Sequence, residues 1–195
     1  MGFDGARRQP LVFVLMKKQS LNEPTTIAAY VEAITRALEA RGVDPGEVLR
    51  EIDVSRIRNN DPLVRISDST VNAIYARAVA LTGDEYFGLS VAERIVPGML
   101  HALGYALLAS ETLEDFCHRF VRYYGLVSQS AHLRVFVEGD TFRLEADPHN
   151  PGICFETQDV WAGLVIRLMR AASRADFHPR PLDLRRPVPA GGEEP

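Results

Sequence analysis

Apolar residues fall at helical spacing through most of the chain, switch to strict alternation near residue 131, and return to helical spacing near residue 157. Ile27, Tyr30, Val31, Ile34 and Leu38 form one apolar stripe. They predict a helix over 22–42, with Asn22 as cap, Pro24 in the first turn and Gly42 as the left-handed stop. Asp44-Pro45-Gly46-Glu47 is a second start signal, in which Asp44 caps, Pro45 takes the first helical position and Glu47 completes a capping box. That helix is expected to end near Ile52. Residues 55–66 are polar and carry Asn59, Asn60 and Pro62, so a loop is expected there. Ser67 opens a third helix, with Val71, Ile74, Tyr75, Ala78 and Val79 on its buried side and Gly83 at its end. Phe87 to Val91 can add one more turn.

A helix from Pro97-Gly98 to about Ala109 carries Met99, Leu100, Leu103 and Leu107 on one face and His101, Tyr105 and Leu108 on another. A helix apolar nearly all round is expected to be buried on both sides. Ser110 or Thr112 starts the next helix, whose stripe is Leu113, Phe116, Cys117, Phe120, Val121 and Tyr124. Leu133, Val135 and Val137 then alternate with His132, Arg134 and Phe136. Glu138-Gly139-Asp140 is a turn, and Phe142, Leu144 and Ala146 alternate in their turn. This is a β-hairpin over 131–147 with one face buried. Val160, Trp161, Leu164, Val165 and Leu168 predict a helix over 157–172. Residues 179–186 can add a strand, with Leu182 and Leu184 on one side. The class is α+β: an N-terminal helical bundle, then a small antiparallel sheet with a packed helix. Two strands stand poorly alone, so a third is expected from residues 179–186, from beyond the chain end or from a partner.

The 195 residues suit one domain, and 46% hydrophobic with 25% charged residues is ordinary for a globular chain. Residues 1–20 read as a flexible leader, 21–186 as the domain and 187–195 as a linker-like tail rich in Pro, Gly and Glu. Arg7 and Arg8 ahead of Leu11–Met16 mimic a signal peptide. The apolar run is too short, however, and Lys17, Lys18 and Gln19 follow where small residues belong. No run approaches the ~20 apolar residues of a membrane helix. A net charge of -4 gives no basic field for nucleic acid or anionic membrane. Cys117 and Cys154 form no disulfide framework, and free thiols in a cytoplasmic protein are expected.

Catalytic chemistry finds little support. There is no GxxxxGK, GxGxxG or Gly-x-Ser-x-Gly, and His101, His118, His132, His149 and His178 make no metal-ligand spacing. Cys117 and His118 are adjacent on a helix and point apart. Glu114 and Asp115 sit at a helix start, where the dipole explains them. Residues 44–81 hold helical pieces, but the loop is long and Arg50, Arg56, Arg58 and Arg65 are scattered, unlike a recognition helix. No enzyme, cofactor or metal is expected. His101 and Tyr105 are the foremost ligand-binding candidates: four apart on a helix expected to be buried, they project together and their polar tips need partners. Tyr124 and Trp161 are secondary candidates. Core packing is the competing explanation for all four.

The order of several segments carries a family resemblance. Leu81-Thr82-Gly83-Asp84-Glu85-Tyr86-Phe87-Gly88-Leu89-Ser90 is followed by Pro97-Gly98 and by Leu103-Gly104-Tyr105-Ala106. Ser110-Glu111-Thr112-Leu113-Glu114-Asp115-Phe116 and Arg122-Tyr123-Tyr124 come next, with Gly42-Val43-Asp44 and Asp61-Pro62-Leu63 upstream. Over residues 25–186 the chain resembles the N-terminal domain of AraC-type bacterial transcription regulators. Within them it is similar to the subset labelled "arabinose-binding" and to the ornithine-utilisation regulators. The resemblance implies a cytoplasmic domain that senses a small-molecule effector and forms a homodimer. It also implies a C-terminal helix-turn-helix domain that binds DNA and is not in this chain, so the effector domain is expected to be truncated. A dimerisation scaffold without a ligand, and a haem or metal sensor using His101, are the alternatives.

Overall fold

The computed structural model describes residues 23–50, 64–139, 141–173, 178–179 and 182–187. The expected leader, the end of the second helix near Ile52 and nearly all of the tail lie outside them.

The first element corrects the sequence reading. Thr25–Ile27 is a short strand (β1), and the helix begins only at Ala29, running to Glu39 (α1). Thr25, Thr26 and Ile27 are β-branched, which suits extended backbone. They pair antiparallel with Arg65–Ser67 (β2), Thr26 lying opposite Ile66. The expected loop therefore ends in a strand. On its other side β1 meets the segment 127–130: Ile27 donates to the Val127 carbonyl at 2.9 Å, Gln129 donates to the Thr25 carbonyl at 2.9 Å, and Thr26 bridges Ser128. Arg65 ties these pieces together, donating to Thr25 Oγ1 at 2.7 Å and to the Leu126 carbonyl at 3.0 Å.

The helix caps follow the local signals. Asp44 accepts from the Gly46 amide and opens Pro45–Leu49 (α2). Ser67 accepts from the Thr70 amide and opens Asp68–Thr82 (α3), which stops at Gly83 with φ 67°. Phe87–Ala92 forms α4. Thr112 accepts from the Asp115 amide and opens Leu113–Tyr123 (α6), extended by a 3₁₀ turn over Tyr124–Leu126. Phe155–Ser173 is the last helix (α7).

The segment after Pro97 departs from expectation. It is a 3₁₀ turn, Pro97–Leu100, followed by a separate helix, His101–Leu108 (α5). His101 marks the join with φ 52°, a region that costs a non-glycine residue ~1–3 kcal/mol. The chain folds back tightly here. A Cβ on Gly104 would lie 2.0 Å from the Pro97 carbonyl oxygen, so only glycine admits the packing.

The hairpin forms where the alternation predicts it. Ala131–Glu138 (β3) pairs with Thr141–Pro148 (β4), and Gly139 takes φ 61° in the turn. Its buried face is confined to the base: Leu133 is buried, whereas Val137 is 59% exposed and Phe136 and Phe142 are exposed as well. The described residues 182–187 form no strand, and Leu182 is exposed. The described residues of 179–186 thus supply no third strand. The core lies between the helices, with Tyr75, Phe87, Phe116 and Phe120 fully enclosed. Close helix contact is again a glycine effect, because a Cβ on Gly88 of α4 would meet the Glu156 carbonyl oxygen of α7 at 2.4 Å.

Candidate functional site

A cavity of about 80 Å³ opens between α7 and the strand layer. That exceeds the ~10–15 Å³ one water needs, so a small molecule is an appropriate scale of occupant. α7 supplies one wall with Thr157, Val160, Trp161 and Leu164, which recur at helical spacing. β1 contributes Thr26 and Ile27, and the adjoining segment Val127, Ser128 and Ser130. Asp68 and Val71 enter from the first turn of α3, and Tyr30 from α1. Ile95, Met99 and Leu100 approach from the 3₁₀ side, and Phe120 and Tyr124 from the end of α6.

Aromatic contacts hold the far wall in place. The Phe120 ring lies 6.3 Å from Trp161 and 5.4 Å from Tyr124, edge-on to the latter. Tyr30 and Tyr75 share a hydrogen bond between their phenol oxygens. Burial pushes both of those phenols well above the ordinary tyrosine value, and it pushes Tyr124 up to about 12. All three stay neutral hydroxyls.

The polar side of the cavity is a hydroxyl chain ending on a carboxylate. Thr26 Oγ1 lies 3.0 Å from Ser128 Oγ, which donates to Ser130 Oγ at 3.0 Å. Ser130 Oγ donates in turn to Asp68 Oδ1. Asp68 is 1% exposed, and its other oxygen, Oδ2, is buried with no hydrogen-bond partner. Trp161 Nε1 is likewise buried and unpartnered. Burial raises the Asp68 carboxyl above the usual carboxylate range, opposed by the Ser130 bond. Among the described residues no Arg or Lys pairs with it.

Of the four residues singled out by sequence, Tyr124 and Trp161 line this cavity. His101 and Tyr105 do not line it, and the expectation that they are buried is corrected: His101 is exposed and Tyr105 is 64% exposed. The physical reason is the break at His101. α5 buries Leu103, Gly104 and Leu107 and turns the His101–Tyr105 face outward, where the Tyr105 hydroxyl passes over Gly98. The residues missed by sequence are Asp68, Ser128, Ser130 and Thr26. Asp68 follows a capping serine, where an acid reads as an ordinary first-turn residue. Ser130, its partner, is 62 positions away.

No three His, Cys, Asp or Glu side chains converge as a metal site among the described residues. No helix among them is long and apolar enough to cross a membrane.

Comparison with curated proteins found no match. The sequence pattern of one family, described as "Arabinose-binding domain of AraC transcription regulator, N-term", matches residues 42–194. That span takes in α2 to α7, and with them most of the cavity wall. The chain belongs to this family of N-terminal regulatory, effector-binding domains of AraC transcription regulators.

Proposed function

We propose that the domain senses a small-molecule effector in the cavity between α7 and the strand layer, and that it acts in a cytoplasmic, DNA-binding regulator. The observation that carries this reading is the cavity itself: an apolar enclosure with two buried polar atoms that lack protein partners. Ligand sites have this composition, apolar walls with a few convergent polar groups. Tyr124 and Trp161 act as ligand-contacting walls. DNA contact is assigned to a C-terminal helix-turn-helix domain outside this chain, in keeping with the family.

The route of the signal is supported by α7. This helix carries Trp161 at the cavity and also Asp159, which pairs with Arg186 on the outgoing segment. A ligand that shifts α7 would therefore also move the segment that carries Arg186, which couples the cavity to a second place in the domain. Homodimerisation belongs to the same reading. The exposed apolar hairpin tip, Phe136, Val137 and Phe142, is a surface that a second copy would cover.

Trp161 is the only tryptophan in the 195-residue chain, so its fluorescence reports on the cavity. A metabolite panel read by Trp161 emission and thermal shift is expected to yield at least one stabilising compound. If no compound changes either signal, the sensing reading fails and a ligand-free dimerisation module replaces it. Light scattering tests the dimer: V137E with F142E is expected to give a monomer, and a monomeric wild-type chain would remove dimerisation from the proposal.

A further inference from the structure

The two unpartnered atoms say what the occupant must offer. Asp68 Oδ1 already accepts from Ser130, and the Ser128 hydroxyl points its proton the same way along the chain. The network thus directs hydroxyl protons toward Asp68, the arrangement that suits a carboxylate acting as acceptor. Oδ2 then asks for a donor. His149 favours the charged form of Asp68 through space, but none of the described Arg side chains pairs with it, and a buried carboxylate without a paired cation is costly. Trp161 Nε1 asks for the opposite, because an indole N–H can only donate. Both residues line the same cavity, whose remaining walls are dominated by side chains such as Ile27, Val71, Val160 and Leu164. A sugar, hydroxylated on every side, would leave most of its polar groups against these apolar walls.

We infer that the effector is a small, largely apolar molecule bearing a protonated amine that pairs with Asp68 and a hydrogen-bond acceptor that meets Trp161 Nε1. The inference rests on the cavity being the sensing site. It deepens that reading by naming the chemical class. Asp68 becomes the specificity residue: it rewards a cationic donor and rejects a ligand carboxylate, which would bring like charges together in a desolvated place. The serine chain holds the Asp68 carboxylate in orientation.

Three probes with one apolar body and different polar ends test this on the full 195-residue chain: benzylamine, benzyl alcohol and benzoate. Binding is titrated by Trp161 emission, and stabilisation by thermal shift. Benzylamine is expected to bind about ten-fold more tightly than benzyl alcohol, the gain of a charge-assisted bond over a neutral one. Benzoate is expected to bind weakest. Asp68→Asn keeps an oxygen for Ser130 and places an N–H donor where Oδ2 stood, so the amine preference should vanish or reverse toward benzyl alcohol. Wild-type chain that binds benzyl alcohol or benzoate at least as well as benzylamine overturns the cationic assignment and leaves the cavity as a sensing site. Retention of the amine preference by Asp68→Asn also overturns it. No response to any of the three probes sinks the cavity reading together with the inference.

Discussion

The molecule buries two aspartates in contrasting surroundings. Asp159 on α7 is 2% exposed and meets Arg186, whose guanidinium also lies over the Tyr86 and Phe155 rings. Asp68 on α3 is 1% exposed and accepts from the Ser130 hydroxyl, with His149 acting on it only through space and one oxygen left over. Burial pushes both carboxyls up, Asp159 to about 6 in spite of its arginine. The first site is closed: its charge is answered from within the chain and its product is a fixed outgoing segment. The second is open: its charge is answered from within only in part, and the residue lines a cavity. Equal burial therefore means different things, and the inventory of partners tells them apart.

Removing the arginine should break the closed site hardest. Arg186→Met leaves a buried carboxylate unpaired and is expected to cost about 3–5 kcal/mol at about pH 8, read from the denaturant midpoint. The pH dependence has a definite sign. In the folded chain Asp159 titrates at about 6, above its unfolded value of 3.8. Between these values the native state holds the extra proton, so this group's contribution makes stability fall as pH rises. Losing Arg186 raises the folded value further. The deficit of the variant should shrink as pH falls from about 8 toward 6, where the variant's carboxyl is already protonated and the wild-type one is still charged, and level off below 6; a deficit independent of pH would mean that Asp159 does not carry it.

A steric lesion separates the two sites by location. On Gly88→Ala the new Cβ would approach the Glu156 carbonyl at 2.4 Å and the Asp159 Cβ at 3.0 Å. A loss of about 2–3 kcal/mol is expected, in the range of overpacking. Crosslinking or exchange at residues 182–187 should loosen in step, whereas an unchanged outgoing segment would uncouple α4 packing from the clamp.

Ser130→Ala removes the hydrogen bond that the Asp68 side chain accepts among the described residues. A loss of about 1–2 kcal/mol is expected, larger at high pH than at low pH, because the charged carboxylate needs the bond most. The smallest effect belongs to Asp68→Asn, which keeps the Ser130 acceptor and deletes an unpaired charge. Its stability should change by less than about 1 kcal/mol, with any gain confined to higher pH, where the wild-type carboxylate is ionised. A large loss in Asp68→Asn would make Asp68 a structural residue like Asp159 and erase the contrast.

Much of the local architecture was legible in sequence. Asp44, Ser67 and Thr112 cap helices as their positions suggest, and Gly83 and Gly139 take the left-handed backbone their turns need. The alternation and the Glu138-Gly139-Asp140 turn place the hairpin. The miss at Thr25–Ile27 has a physical cause: a three-residue strand has no periodicity to read, and its partner lies 40 positions away. The miss at His101 has another. Helical spacing across Pro97–Ala109 cannot reveal a backbone break made favourable by packing Pro97 against Gly104. Exposure of His101 and Tyr105 follows from that break, and so their place outside the cavity was hidden too.

The sequence by itself determined the capped helix starts at Asp44, Ser67 and Thr112, the hairpin, the α+β class and the family, because capping, alternation and motif order act within a few residues or survive as a linear pattern. Tertiary structure alone decided which aspartate is clamped and which is left open. Asp68 meets Ser130 across 62 positions and Asp159 meets Arg186 across 27. Whether a buried charge finds an arginine, a hydroxyl or a cavity depends on how distant elements pack, and no spacing along the chain records it.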